Sequence, residues 1–204
     1  GAGVGKSKVI DALYQTLHRY LCGTEGENPE EIRILLCAFT GVAAFNIGGT
    51  TIHKAFNIKA NDKIEYRRLS DDAFNTMRMK YRHLSLIIID EVSMVSHQLF
   101  KVMHLRLQDI KGNKKLFGGV HMLVVGDLYQ LRPVFGGWIF EDLKDGYTAL
   151  ATNLWKDNFK MFELTEIMRQ KDDIEFAQLL NRLRHNALTY EDKRTLKSRE
   201  TSDS

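Results

Sequence analysis

Apolar residues follow two spacings along the chain, and each spacing predicts a different kind of element. Short apolar runs of strand length occur at residues 32–39, 84–89 and 121–125. Elsewhere, apolar positions recur every three or four residues, which is the period of an amphipathic helix. Helices are predicted on this basis at residues 9–21, 71–81, 96–110 and 172–185. Buried strands that alternate with helices are typical of an open parallel sheet covered by helices, so the pattern predicts an α/β fold.

The same pattern bears on domain organisation. The chain has no internal repeat, no low-complexity tract and no Pro- or Ser-rich linker, so residues 1–188 are predicted to form one domain. Residues 189–204 form a polar C-terminal segment that ends in Ser-Arg-Glu-Thr-Ser-Asp-Ser. Such a composition is typical of a frayed terminus, and little chemistry is expected there.

Composition excludes several classes of protein. The 204 residues carry 29 Lys and Arg against 26 Asp and Glu, a formal net charge of +3, and 44% of them are hydrophobic. These values indicate a globular domain, and since no apolar run approaches the roughly 18 residues of a membrane span, no membrane partner is expected. The near-neutral charge excludes nucleic-acid binding by bulk charge alone, so any such contact must use a local basic track or specific residues. Cys22 and Cys37 are expected to be free thiols in a reducing compartment.

The start of the chain matches the phosphate-binding loop G-x-x-x-x-G-K-[ST], except that the first glycine would fall one residue before the chain begins. Glycines let backbone N–H groups wrap phosphates, and the N-terminus of the following helix adds the positive end of its dipole. In such loops the lysine meets the β and γ phosphates and the final hydroxyl ligates Mg²⁺. Nucleotide phosphates and Mg²⁺ are therefore the candidate ligands of this loop, and a second motif must support them. The residues of the loop are Gly1, Ala2, Gly3, Val4, Gly5, Lys6 and Ser7.

Two carboxylates follow the second predicted strand. Asp90 and Glu91 come directly after four apolar residues, which places them at the carboxyl end of a buried strand, the edge where ligands bind in such sheets. Asp90 is predicted to hold the Mg²⁺ that Ser7 ligates, and Glu91 to orient and deprotonate the water that attacks the γ-phosphate. A solvated turn is the alternative for an acidic pair, and the phosphate loop argues against it.

Two further side chains are candidates for contact with the γ-phosphate. Gln130 lies just past the third predicted strand, where an amide can reach that phosphate and report its presence. Arg169 is a candidate for neutralising the charge that develops on the transferred phosphoryl group. A polar loop residue and a solvated charge are the respective alternatives.

A possible nucleic-acid contact follows the first predicted strand. Thr40 and Gly41 precede a predicted helix, where N–H groups and a hydroxyl are able to hold a nucleic-acid phosphate. His53 is the most plausible additional contact, although a lone histidine is more often structural. Residues 59–83 are basic and aromatic, and two explanations remain open for them: a channel for a nucleic-acid strand, or the buried stripe of a helix.

Taken in chain order, the motifs resemble those of the Pif1-like superfamily 1 DNA helicases, and the similarity runs from residue 1 to about residue 188. The matching stretches are the Walker A motif at 1–7, motif Ia at 39–56, the Walker B motif at 89–94, motif III at 126–134 and motif IV at 164–170. Residues 93–120 correspond to a signature region of that family, which generic phosphate-loop proteins lack. Residues 45–50, 131–134 and 167–171 also look like the helicases of animal Helitron-type transposons.

The resemblance implies a RecA-like fold, ATP hydrolysis with Mg²⁺, and 5′ to 3′ movement on single-stranded DNA that unwinds duplex junctions. It also implies roles in DNA repair, recombination and telomere maintenance, with the nucleus as the address and the mitochondrion as the alternative. Carried over by motif, the predicted roles stay the same for Lys6, Ser7, Asp90, Glu91, Gln130 and Arg169.

The family pattern has further parts that this chain does not contain. They are a strand before the phosphate loop and a second RecA-like domain, so the chain is expected to be one half of a motor in a longer parent protein and to be inactive alone. Two other hypotheses stay open: a phosphate-loop ATPase that acts on protein partners, and an inactive transposon-derived relic that binds nucleotide or DNA.

Overall fold

The computed structural model of the chain describes residues 4–22, 28, 30–59, 64–128, 130–134, 136–141, 153–165 and 174–199. The chain divides into two compact units, Lys6–Phe162 and Gly1–Gly5 together with Glu163–Ser204. The sequence predicts one domain over residues 1–188, and that boundary stays a prediction.

Helices and strands alternate through most of the described residues. Their order is α1 (Lys6–Cys22), β1 (Ile34–Ala38), α2 (Gly41–Asn46), β2 (Thr50–Thr51), α3 (Ile52–Ala55), α4 (Asp71–Lys80), β3 (Leu86–Asp90), α5 (His97–Lys111), β4 (His121–Val124), α6 (Ile174–Arg184) and α7 (Tyr190–Ser198). Short 3₁₀ turns follow β3 and precede β4, at Val92–Met94 and Leu116–Gly119. Among the described residues, no helix has the length and apolar character needed to cross a membrane.

The four strands form one parallel sheet in the order β2-β1-β3-β4. Strands β1 and β4 lie within two of the apolar runs, and β3 extends one residue past the third, to Asp90. The prediction of a parallel α/β sheet is confirmed. Strand β2 was not predicted, because two residues, Thr50 and Thr51, are too short to show any periodicity. The sheet therefore gains an edge strand next to β1.

The core lies on both faces of the sheet. Ile87 and Ile89 of β3 belong to the larger buried cluster, which includes residues of α3, α4 and α5, whereas Ile88 packs with Ile10 of α1 on the opposite face. Successive side chains of a strand point to opposite faces, so a continuous apolar run is what a sheet covered on both sides requires. The three isoleucines of β3 are fully buried. Burial of each side chain contributes about 1.5–3 kcal/mol to the free energy of unfolding and holds the end of β3 in place.

The signature region at residues 93–120 builds part of the core. Phe117 is buried, its ring centroid lies 5.0 Å from that of Phe100, and its backbone N–H donates to His104 Nδ1 at 3.0 Å. Accepting that hydrogen bond requires an unprotonated Nδ1, and burial lowers the pKa of His104, which is consistent with a neutral ring. These contacts attach the turn before β4 to α5, so this stretch supports the sheet.

The end of helix α4 supports the buried-stripe explanation for the C-terminal part of residues 59–83, whereas a channel for a nucleic-acid strand stays a prediction for this stretch. Met77 and Tyr81 are buried in the larger cluster, and the Tyr81 hydroxyl donates to the Ala55 carbonyl oxygen at 2.9 Å. Tyr66, nearer the start of the interval, donates to the Asp109 carboxylate and lies under the Arg106 guanidinium. The described aromatic side chains of this stretch are thus engaged in packing.

The prediction of a frayed C-terminus is wrong for α7. Thr189 and Asp192 form a reciprocal capping box at its start, and the Arg182 guanidinium of α6 donates to both oxygens of Asp192 at 2.7 and 2.6 Å. These hydrogen bonds hold the pKa of Asp192 well below its usual range. Polar composition therefore reflects a solvated helix here, because a capping box and a bidentate ion pair replace apolar packing.

Candidate nucleotide site

The carboxyl ends of the parallel strands gather the candidate residues at one edge of the sheet. Ala38 of β1 pairs in register with Asp90 of β3, so Thr40 and Glu91 come just past the ends of neighbouring strands. Ile89 pairs with Val124 of β4, and residues 125–127 continue beyond that edge on the other side of β3. This is the side on which open α/β sheets bind their ligands.

The phosphate loop is described in part. Gly5 has a φ of +83°, in the left-handed region that glycine adopts without cost, and Lys6 begins α1. Ser7 is exposed in the first turn of that helix. Gly1, Ala2 and Gly3 lie outside the described residues. The described part thus presents an ammonium and a hydroxyl at the N-terminus of a 17-residue helix, where the dipole favours anions.

Asp90 is a buried carboxyl at the end of β3. Loss of solvent raises its pKa, and the neighbouring charge of Glu91 acts in the same direction. Two contacts oppose this: the Glu91 backbone N–H donates to Asp90 Oδ1 at 2.8 Å, and the charge of Lys6 stabilises the ionised form. Asp90 therefore lies within electrostatic reach of the lysine of the phosphate loop.

The donor set at this edge fits Mg²⁺ held jointly with a nucleotide. The hydroxyl oxygen of Ser7 and the carboxylate of Asp90 are hard oxygen donors. A divalent cation would stabilise the ionised form of Asp90, which burial disfavours. In the part of the chain that the structure describes, no group of three or more His, Cys, Asp or Glu side chains could hold a metal by itself. Such a set suits Mg²⁺, which commonly binds through one or two protein ligands, substrate phosphates and water.

Glu91 has an unusual backbone and a specific side-chain contact. Its φ and ψ are 55° and 43°, a left-handed conformation that costs a non-glycine residue roughly 1–2 kcal/mol. Its carboxylate Oε2 accepts a hydrogen bond from the Thr40 hydroxyl at 2.9 Å. Strained residues of this kind cluster at functional sites, where the surrounding structure enforces them. The conformation supports Glu91 as a reacting residue rather than part of a solvated turn.

Gly126 lets the chain after β4 pass close to the turn that follows Glu91. The Val92 backbone N–H donates to the Val125 carbonyl oxygen at 3.1 Å, and a Cβ built on Gly126 would lie 2.9 Å from both Val92 N and Val92 Cγ1. Since one of these neighbours is backbone, a side chain at residue 126 cannot be accommodated by rotation of a flexible group. Gly126 thus sets the distance between the segments that follow β3 and β4.

We expect Gly126→Ala to lower the free energy of unfolding by about 1–3 kcal/mol, because the added methyl forces Val92 and its hydrogen bond apart. Urea denaturation measures this change. Gly41→Ala is the matched control, since a Cβ at Gly41 meets nothing within 4 Å. Equal stability of the two variants would contradict the close approach at Gly126.

Comparisons with known proteins identify the family of the chain. A family model described as PIF1-like helicase matches residues 1–194. The chain belongs to the PIF1-like helicase family. It is 31% identical over 195 residues to the ATP-dependent DNA helicase PIF1 of Candida albicans, which is 90% of this chain and 20% of that protein. It is 30% identical over 203 residues to the ATP-dependent DNA helicase RRM3 of Saccharomyces cerevisiae, which is 97% of this chain and 26% of that protein.

Solved structures of Pif1 helicases share the fold of this PIF1-like chain. The crystal structure of Pif1 from Candida albicans matches it with a TM-score of 0.74 at 27% identity, covering 100% of this chain and 44% of that one. Bacteroides Pif1 in complex with ADP-AlF3 and ssDNA matches with a TM-score of 0.71 at 29% identity, covering 100% and 46%. The predicted RecA-like fold is confirmed, and the chain spans less than half of these structures.

The remaining predicted site residues of the PIF1-like chain have different outcomes. Gln130 is exposed, and its backbone N–H donates to the Asp127 carbonyl oxygen at 2.9 Å, so it lies on a turn beyond the end of β4. Arg169 lies outside the described residues. The roles of both in contacting the γ-phosphate stay predictions.

The three residues predicted to contact DNA lie past neighbouring strands. Thr40 caps α2, with Gly41 exposed as its first residue, and His53 lies in α3, which follows β2. His53 packs edge-on against Phe39 with ring centroids 5.5 Å apart, and burial lowers its pKa. A half-buried, neutral ring with an aromatic neighbour fits the structural explanation as well as a contact role, so His53 stays a prediction.

Sequence reasoning missed two features of the site, the close approach at Gly126 and the hydrogen bond between Thr40 and Glu91. A usable signal for the second was present, because both residues follow apolar runs that were predicted to be strands of one parallel sheet. Neither apolar run indicates whether the two strands are neighbours in the sheet or in which register they pair.

Proposed function

We propose that the chain is the nucleotide-binding half of an ATP-dependent DNA helicase that moves 5′ to 3′ on single-stranded DNA and unwinds duplex junctions. The proposal is carried by the arrangement at the carboxyl ends of β1 and β3. There the charge of Lys6 acts on Asp90, and Glu91 accepts a hydrogen bond from Thr40. The chain spans 20% of the Candida albicans PIF1 and 26% of the yeast RRM3, and we propose the activity for a longer parent protein.

In the proposed reaction, each residue of the chain has one task. Lys6 binds the β and γ phosphates of ATP at the N-terminus of α1, and Glu91 orients a water for attack on the γ-phosphate and accepts its proton. Ser7 and Asp90 hold Mg²⁺, which when bound neutralises charge on the phosphates. Gln130 contacts the γ-phosphate, and Arg169 stabilises the charge that develops on it.

DNA and a second domain of the parent protein are proposed to contact residues near this edge of the sheet. Thr40, Gly41 and His53 contact the backbone of single-stranded DNA, and a second RecA-like domain of the parent chain closes the ATP site. Similarity to Bacteroides Pif1, whose structure is a complex with ADP-AlF3 and ssDNA, supports this arrangement. The chain alone is then expected not to hydrolyse ATP, because half of the site is supplied by the other domain.

The biological setting follows from the same family. The names of the relatives PIF1 and RRM3 support a role in DNA repair, recombination and telomere maintenance, with the nucleus as the proposed address and the mitochondrion as the alternative. The motif variants shared with Helitron-type helicases support an origin in a transposon. ATP and Mg²⁺ are the proposed cofactors.

The test is ATP hydrolysis by the parent protein and by this chain, each with and without single-stranded DNA. We expect the parent protein to hydrolyse ATP and this chain not to. DNA is expected to stimulate the parent about fivefold or more, a typical size for coupling between two sites. Hydrolysis without stimulation, together with no binding of single-stranded DNA, would favour an ATPase that acts on protein partners. A folded parent that binds nucleotide but never hydrolyses it would favour the inactive relic.

A further inference from the structure

The Thr40 hydroxyl takes part in two hydrogen bonds with opposite roles. Its oxygen accepts from the Ala43 backbone N–H at 3.1 Å, which caps α2, and its single proton is donated to Glu91 Oε2 at 2.9 Å. The second bond joins residues 51 positions apart in sequence and links the segment after β1 to the segment after β3. Thr40, a proposed DNA contact, is therefore hydrogen-bonded to the proposed catalytic carboxylate.

A hydroxyl has only one proton, which limits what Thr40 can bind. Carboxylates and phosphates are both anions that accept hydrogen bonds, so a DNA phosphate that contacts the Thr40 hydroxyl competes with Glu91 for the same proton. Two anions on one donor also repel each other. Contact with a phosphate and the bond to Glu91 therefore exclude each other at this side chain.

The backbone of Glu91 is better fixed than its side chain. Its N–H donates to Asp90 Oδ1 at 2.8 Å, and the next N–H, that of Val92, donates to the Val125 carbonyl oxygen at 3.1 Å. The side chain is held by the Thr40 hydroxyl at a part-buried position. Breaking that one bond frees the carboxylate to rotate about its side-chain torsions while the main chain stays in place.

We propose that Thr40 is a positioning residue that couples DNA binding to ATP hydrolysis: its hydroxyl holds the Glu91 carboxylate aside without DNA and releases it to the attacking water when a DNA phosphate takes the proton. The inference rests on the proposed function, because it requires DNA at Thr40 and a catalytic role for Glu91. It adds a mechanism by which single-stranded DNA would stimulate hydrolysis through one side chain.

The experiment compares variants of the parent protein by their ATP hydrolysis with and without single-stranded DNA. Thr40→Val removes the proton at nearly constant shape, and we expect hydrolysis without DNA to rise about fivefold or more, with the ratio of stimulation falling by the same factor. Thr40→Ser keeps the hydroxyl and is expected to keep the wild-type ratio. The KM for ATP is expected to stay constant in both variants, because the proposed phosphate contacts are made by Lys6 and the phosphate loop.

Two further variants separate this effect from loss of the helix cap. Thr51 caps α3 through its hydroxyl, which accepts from the Lys54 N–H at 3.2 Å, so Thr51→Val removes a comparable cap and is expected to leave the ratio unchanged. Thr40→Asp retains a cap acceptor but has no proton to donate at neutral pH. It is expected to raise hydrolysis without DNA even if Thr40→Val proves too unstable to assay.

Three results would overturn the coupling role. They are a Thr40→Val protein in which both rates fall by the same factor, a Thr40→Val protein in which neither rate changes, and a Thr40→Ser protein that behaves like the valine variant. The first would show that Thr40 merely supports an active Glu91. A wild-type parent without DNA stimulation would instead refute the proposed function, and the two failures are thereby distinguished.

Discussion

Glu91→Gln is expected to reduce ATP hydrolysis by the parent protein by roughly 10²–10⁴-fold, the range attributed to a positioned general base. The amide keeps the shape of the side chain and still accepts a hydrogen bond from the Thr40 hydroxyl, so the local fold is retained. It cannot accept a proton from the attacking water. Binding of ATP is expected to change little, because Lys6 and the phosphate loop make the contacts with the phosphates.

Single-turnover hydrolysis and equilibrium binding of a fluorescent ATP analogue separate these two effects. Glu191→Gln is the matched control, since Glu191 is an exposed residue in the first turn of α7 and the substitution is identical. The control is expected to hydrolyse ATP at the wild-type rate. A Glu91→Gln protein that retains half of the wild-type rate would mean that another group, or none, accepts the proton.

Lys6→Ala is expected to weaken ATP binding by about 10- to 150-fold, which corresponds to the roughly 1.5–3 kcal/mol of a hydrogen bond to a charged group. The substitution removes the ammonium at the start of α1 and also the cation that stabilises the ionised form of Asp90. Both losses act on the same site, so hydrolysis at saturating ATP is also expected to fall. Binding of the fluorescent analogue gives the first effect and steady-state hydrolysis the second.

Lys8→Ala provides the comparison for this variant. Lys8 lies on the same helix two residues later and is exposed, so its loss changes the net charge equally without touching the loop. Its affinity for ATP is expected to stay near the wild-type value. Equal losses of affinity in the two variants would point to a general charge effect. Affinities that stay at the wild-type value in both variants would mean that the nucleotide binds elsewhere.

Much of the fold could be read from the chain because it depends on local pattern. The three apolar runs became β1, β3 and β4, and the helical periods became α1, α4, α5 and α6, each within a few residues of the predicted bounds. Strands buried on both faces need continuous apolar runs, and helices that cover a sheet need one apolar face. Both signals are repeated along each element, which makes them readable without knowledge of the neighbours.

The prediction failed where an element is short or is stabilised by polar contacts. Strand β2 has only two residues, and α7 is a polar helix that depends on the Asp192 capping box and on Arg182. In each case the stabilising partner lies outside the element or is a single side chain. No repeated spacing of apolar residues therefore predicts the element.

The chemistry of the candidate site divides in the same way. The sequence by itself determined which residue types follow which strands: the glycines and Lys6 before a helix, Asp90 and Glu91 after one apolar run, and Thr40 after another. Only the tertiary structure decided that β1 and β3 are neighbours in register, that Thr40 donates to Glu91, and that Gly126 must lack a side chain. These facts depend on contacts between residues distant in sequence, and such contacts are set by the packing of the whole sheet.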